Sequence, residues 1–127
     1  MAQKILVVED DEFLRELYHE LLQDEGYDVT LARDGEEGLK AIREGGWDLV
    51  LLDIMLPKMD GLEILRQVRQ KGAKEKNGPI VLLTNLGQDS IIKEGFVLGA
   101  SGYLIKSAMN PDQVLAEVKV FLNKKSP

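Results

Sequence analysis

Four short apolar runs in this chain each end in a residue able to handle a charged phosphorus or metal centre. Leu49-Val50-Leu51-Leu52 ends in Asp53, Ile5-Leu6-Val7-Val8 in Glu9-Asp10-Asp11, Ile80-Val81-Leu82-Leu83 in Thr84, and Tyr103-Leu104-Ile105 in Lys106. Brought together, the three carboxylates of Glu9, Asp10 and Asp53 would repel one another unless a cation joined them. There is no cysteine, and the single histidine, His19, has no ligand partner near it. Oxygen ligands alone argue against zinc or copper and for Mg²⁺, which usually leaves positions open to water or a phosphoryl oxygen. Lys106 adds a second positive charge and the Thr84 hydroxyl can donate to another oxygen. Such a set neutralises the charge on a transferring phosphoryl group. Asp53 is then the nucleophile, forming an aspartyl phosphate.

Each of these residues also has a plainer reading. Acids after a strand often cap the next helix, and a threonine or lysine at a strand end often only meets solvent. The elements around them decide between the readings. Wholly apolar, β-branched runs such as Ile5–Val8 read as central strands buried on both faces. Tyr27–Ala32 alternates, which suits an edge strand. Between the strands lie helical repeats. Phe13, Leu14, Leu17, Tyr18, Leu21 and Leu22 precede a stop at Gly26, with His19 beside that stripe. A second helix is expected from about Glu36 to Arg43, carrying Leu39 and Ile42, ahead of Gly45-Gly46. Asp60-Gly61-Leu62-Glu63 predicts a capping box opening a third, with Leu62, Leu65 and Val68 inward. Lys71 to Gly78 reads as a charged loop, and Pro79 as the first residue of the fourth strand. A fourth helix is expected over Asp89 to Leu98, with Ile91, Ile92 and Phe96 on its stripe and weakened by an interior Gly95. A fifth runs from Pro111 to about Leu122, ahead of a polar tail at 124–127. Five strands alternating with five helices imply a parallel sheet with helices on both faces. In such a sheet every strand ends on one edge, so the acids, the hydroxyl and the lysine converge there. Coincidence of all the plain readings on one edge is much less probable than any one of them.

Composition sets the frame. The 127 residues suit a single domain spanning 1–127, with an ordered core over about 3–123. The 44% hydrophobic and 30% charged content is that of a soluble globular protein. A net charge of −6 gives no general attraction to nucleic acid or anionic membrane, so DNA binding would need a further domain. No signal peptide or membrane span is read, and a cytoplasmic location is expected.

Val7-Val8-Glu9-Asp10-Asp11, Leu52-Asp53-Ile54-Met55-Leu56-Pro57-Lys58-Met59-Asp60-Gly61, Leu83-Thr84-Asn85 and Gly99-Ala100-Ser101-Gly102-Tyr103-Leu104-Ile105-Lys106 together resemble the response-regulator receiver domain, the CheY-like phosphoacceptor of two-component signalling. The resemblance covers essentially the whole chain. It implies a flavodoxin-like (βα)5 sheet in the order 2-1-3-4-5, with strand two at an edge. It implies that Asp53 takes phosphate from the phosphohistidine of a sensor histidine kinase or phosphotransfer protein. Asp10, Asp53 and the Met55 backbone carbonyl would bind Mg²⁺ directly and Glu9 through water, while Thr84 and Lys106 hold the phosphoryl group. Tyr103 would be the aromatic whose inward or outward position follows Thr84. Phosphorylation would reshape the face of helix four, strand five and helix five for an unknown downstream effector, in a monomer or a phosphorylation-dependent dimer.

Three positions depart from the family pattern. Ser107 stands where a cis proline usually follows the lysine, and a trans bond with a differently routed loop is expected, since a cis bond before serine costs about 2.5–4 kcal/mol. Asn85 replaces a common small residue and Met55 is a bulky apolar side chain beside the acid; both are expected to tune the phosphoryl lifetime. The competing reading is a pseudo-receiver, a constitutive interaction module without phosphotransfer, to which the full acid, threonine and lysine set is opposed. An aspartyl phosphatase would need an aspartate where Met55 stands, and a flavodoxin would not place acids after its first strand. The expected product is a regulatory phosphoacceptor rather than an enzyme.

Overall fold

The computed structural model describes residues 2–85 and 89–123; the tail at 124–127 lies outside them. The elements run β1 (Lys4–Val8), α1 (Glu12–Asp24), β2 (Asp28–Ala32), α2 (Gly35–Glu44), β3 (Leu49–Asp53), α3 (Gly61–Lys71), β4 (Ile80–Thr84), α4 (Asp89–Val97), β5 (Gly102–Ile105), a 3-10 turn (Lys106–Ala108) and α5 (Pro111–Asn123). All strands pair in parallel, in the order β2-β1-β3-β4-β5.

The apolar runs have no polar face because they need none. Alternate side chains of the central strands enter two separate cores. Leu6, Val8, Val50, Leu52 and Leu82 join Leu39, Ile42, Leu62 and Ile64 of α2 and α3. Ile5, Val7, Leu49, Leu51, Val81 and Leu83 join Tyr18 and Leu22 of α1 and Val114, Val118 and Phe121 of α5. Strand β2, at the edge, keeps its alternating exposure.

Several local expectations are corrected. Phe13 lies on the outer side of α1, 66% exposed, and Phe96 is 44% exposed on α4, so neither belongs to a core stripe. Pro79 precedes β4 rather than opening it, and its carbonyl accepts from the Val50 amide at 3.0 Å. The α3 capping box is half made. Asp60 accepts from the Glu63 amide at 2.9 Å, but the Glu63 carboxylate turns to Arg66 and Gln67 instead of reaching back. Gly95 is an adaptation to packing: a Cβ there would stand 2.4 Å from Leu82 Cδ1, so α4 lies closer to the sheet than alanine would permit. Helix α3 also ties α4 down, through Arg66 to Glu94 and Arg69 to the Val97 carbonyl.

Candidate functional site

The register sets the site. Asp53 pairs with Leu83 and Thr84 with Ile105, while Val8 pairs with Leu52, so Glu9, Asp53, Thr84 and Lys106 leave their strands at one edge. A cleft of about 490 Å³ opens there, lined by Glu9, Asp10, Asp11, Leu14, Asp53, Met55, Asn85, Lys106 and Ser107. One carboxylate oxygen from each of Glu9, Asp10 and Asp53 lies within 4.8 Å of the others.

Buried Glu9 and Asp53 are held at both oxygens. Lys106 Nζ donates to Glu9 Oε1 and to Asp53 Oδ2, each at 2.9 Å. The Asp11 amide donates to Glu9 Oε2 and the Met55 amide to Asp53 Oδ1, each at 3.2 Å. Asp10 is exposed, and its carboxylate shows no such bond among the described residues. Asp11 takes the plainer role: it caps α1, accepting from the Leu14 amide at 3.0 Å.

The titration behaviour has one cause. Burial pushes the Glu9 carboxyl up, and the adjacent Asp53 carboxyl pushes it further, against the pull of Lys106. For Lys106 burial works against the ammonium, yet the bonds to Glu9 and Asp53 outweigh it and the net shift is upward. An acid and a base that both retain protons mark a pocket short of positive charge. The deficit reaches α1, where the Tyr18 hydroxyl is raised, first by burial and then by the charge of Glu9. All-oxygen donors and a shortage of positive charge fit a hard divalent cation; a thiolate or imidazole ligand is absent from the cluster.

The β3–α3 loop that follows Asp53 is fastened to the start of α2. Gly35 N donates to the Pro57 carbonyl at 3.2 Å, and Lys58 Nζ lies 3.5 Å from Asp34 Oδ2 and 3.9 Å from Glu36 Oε2. Lys58 accepts a left-handed backbone, φ 69°, to make this turn.

The sequence placed the other candidates unevenly. Met55, Asn85 and Lys106 line the cleft as expected, and Met55 is 59% exposed at its lip. Thr84 is buried at the end of β4, its hydroxyl donating to the Asn85 carbonyl at 3.2 Å, and does not line the cleft wall. Tyr103 faces outward, its ring meeting Phe96 edge-on at 6.3 Å. The Lys106–Ser107 bond is trans, and the chain turns into α5 through the 3-10 segment. One residue went unnoticed. Arg15 donates to the backbone carbonyls of Glu9 at 3.1 Å and Asp10 at 3.2 Å. The signal was present: Arg15 is the only base in the acidic stretch from Glu9 to Glu16.

Residues 5–119 match the family described as response regulator receiver domain. The chain is 44% identical over 117 residues to the transcriptional regulatory protein DltR of Streptococcus agalactiae, covering 92% of this chain and 50% of that protein. It is 37% identical to the transcriptional regulatory protein ResD of Bacillus subtilis, covering 97% of this chain and 49% of the relative. The chain thus spans about half the length of the curated relatives it matches. Among solved structures, the chemotaxis response regulator CheY4 of Vibrio cholerae superposes with a TM-score of 0.84 at 32% identity, covering 95% of this chain and 99% of that one. The receiver domain of sensor histidine kinase PA1611 from Pseudomonas aeruginosa PAO1, solved with a magnesium ion coordinated in its active site cleft, superposes with a TM-score of 0.82 at 26% identity, covering 98% and 100% of the two chains.

Proposed function

This chain belongs to the response regulator receiver domain family of two-component signalling, and from that membership we propose that it is a switch thrown by phosphorylation of Asp53. The donor is a phosphohistidine on a sensor histidine kinase or phosphotransfer protein. An Asp53 carboxylate oxygen attacks phosphorus; the Oδ–P bond forms as the N–P bond breaks, and the electron pair returns to the imidazole. The observation that carries this reading is the posture of Asp53. It stands at the floor of the acidic cleft with Lys106 on one oxygen and the Met55 amide on the other.

Asp10, Asp53 and the Met55 carbonyl would hold Mg²⁺ directly, with Glu9 acting through water. Bound there, Mg²⁺ neutralises charge on the transferring phosphoryl group. Lys106 is already placed on the Asp53 oxygen and follows the phosphoryl group once it is attached. The Thr84 hydroxyl exchanges its bond to the Asn85 carbonyl for a phosphoryl oxygen, and Tyr103 then turns into the space that Thr84 leaves. The face of α4, β5 and α5 changes shape and a downstream effector reads it. Phosphate drives this only in so far as it favours the second state by more than the gap between the two. Met55 and Asn85, at the cleft mouth, set how readily water reaches the acyl phosphate. Residues 1–127 form one regulatory domain of this kind, acting in the cytoplasm without direct contact to nucleic acid, as a monomer or a phosphorylation-dependent dimer. Among the described residues no helix is long and apolar enough to cross a membrane.

The test is intact-mass measurement after incubation with acetyl phosphate and Mg²⁺. The expected result is a single phosphate adduct that Asp53→Asn abolishes. An absence of adduct, under conditions where a known receiver domain is labelled, overturns the proposal in favour of a constitutive interaction module.

A further inference from the structure

We infer that Arg15 is a positioning residue for the cation site, acting through the backbone of Glu9 and Asp10. The inference rests on the Mg²⁺ reading above. Of the three acids in the cluster, Glu9 and Asp53 are each fixed at both carboxylate oxygens by Lys106 and a backbone amide. Asp10 has no equivalent side-chain restraint among the described residues, so its carboxylate is aimed by its peptide alone. That peptide belongs to the short connection between β1 and α1, which the strand no longer controls. The Glu9 amide still bonds to the Ala32 carbonyl at 3.1 Å, but the β1–β2 register ends at Val8 and Ala32.

Arg15 supplies the missing restraint. From the first turns of α1 it reaches back and one nitrogen, Nη1, takes both the Glu9 and Asp10 carbonyls. Its choice of partners is informative. Arg33 and Arg66 pair with carboxylates of Glu37, Glu63 and Glu94. Arg15, with acids on either side in sequence, forms no such pair among the described residues and spends its guanidinium on two neutral carbonyls. Bridging both peptides from a partly buried helix position fixes their planes against α1. It leaves the carboxylates of Glu9 and Asp10 free for Lys106 and the cation. Residues that orient metal ligands from outside the coordination sphere typically alter affinity about 10–100-fold when removed.

The experiment is an NMR titration of the full chain with MgCl₂, read at backbone amides around the cleft, because Trp47 precedes β3 at the far end of that strand. Arg15→Met keeps the aliphatic stem and removes the donors. Its expected Kd for Mg²⁺ is about tenfold above that of the wild type, with Arg15→Lys between the two. The loss is expected to persist at 0.5 M KCl, where a bare change of charge is largely screened. Because the Glu9 carboxylate is held independently by Lys106 and the Asp11 amide, the effect of Arg15 on the cation runs through Asp10. In an Asp10→Asn background the Arg15→Met change is therefore expected to add no more than about twofold. Unchanged affinity in Arg15→Met, an effect that vanishes in high salt, or full additivity with Asp10→Asn each overturns the inference while leaving the Mg²⁺ reading intact. Should Arg15→Met fail to fold, Arg15→Lys and Arg15→Gln carry the same comparison. No saturable binding by the wild type overturns both.

Discussion

At the scale of single residues, Glu9 is the side chain most at odds with its place. It is buried with another carboxylate beside it, and one lysine serves both. Its folded-state pKa is raised above the unfolded value of 4.5. The folded state therefore binds a proton more tightly there, and Mg²⁺-free stability falls as pH rises from about 4.5 through the folded value, at about 1.4 kcal/mol for each tenfold difference in proton affinity. Glu9→Gln removes the ionisation, so urea unfolding in EDTA between pH 4.5 and 8 is expected to lose that downward slope. Lys106 does not obscure the reading. Its pKa is raised from 10.5, so the stability it contributes is present throughout that window and is lost only at higher pH. Met55 tests a different property. Exposed at the cleft lip, it is placed to shield the proposed acyl phosphate from water, and on that proposal Met55→Asn is expected to shorten the phosphoryl lifetime several-fold. A decay of the mass adduct no faster than that of the wild type removes Met55 as a shield.

At the scale of elements, the loop that follows Asp53 is held by a neighbour distant in sequence. Gly35 opens α2 and lies against the loop from Pro57 to Met59. A Cβ at Gly35 would stand 1.8 Å from the Met59 carbonyl oxygen, a backbone atom that moves only if the loop moves. Gly35→Ala is therefore expected to cost about 1–3 kcal/mol, the usual penalty for overpacking. It also shifts the NMR resonances of residues 54–59 and slows labelling of Asp53. A melting temperature equal to the wild type would show that the loop yields freely. The contrast with Gly95 is instructive. There the close atom is a side-chain methyl of Leu82, and what the missing Cβ permits is the close seating of α4 on the sheet.

At the scale of the whole molecule, the proposed cation in the cleft of Glu9, Asp10 and Asp53 would link stability to metal. A cation that binds only the folded chain adds about 2.7 kcal/mol at a hundred times its Kd. Thermal melts are expected to rise with MgCl₂ for the wild type and much less for Asp10→Asn; equal rises in both would place the bound ion elsewhere. Much of this molecule was legible in the sequence. The succession of strands and helices along the chain, the edge position of β2 and the convergence of Glu9, Asp10, Asp53 and Lys106 follow from hydrophobic period and from the rule that parallel strands end together. The sheet order β2-β1-β3-β4-β5 is what the family resemblance implies. Phe13 and Phe96 were misread because periodicity finds a stripe but cannot tell its margin from its centre, which depends on the width of the facing sheet. The half-made capping box reflects competition: Arg66 and Gln67 offered Glu63 partners that only the folded helix brings near. By itself, then, the sequence determined which residues meet at the sheet edge, because alternation and strand direction are local properties of the chain. Only the tertiary structure decided how they meet. That Lys106 bridges two acids depends on distances between segments far apart in sequence. That Thr84 turns to the neighbouring Asn85 carbonyl and that Arg15 reaches back to the peptides of Glu9 and Asp10 depend on side-chain directions that hydrophobic period does not encode.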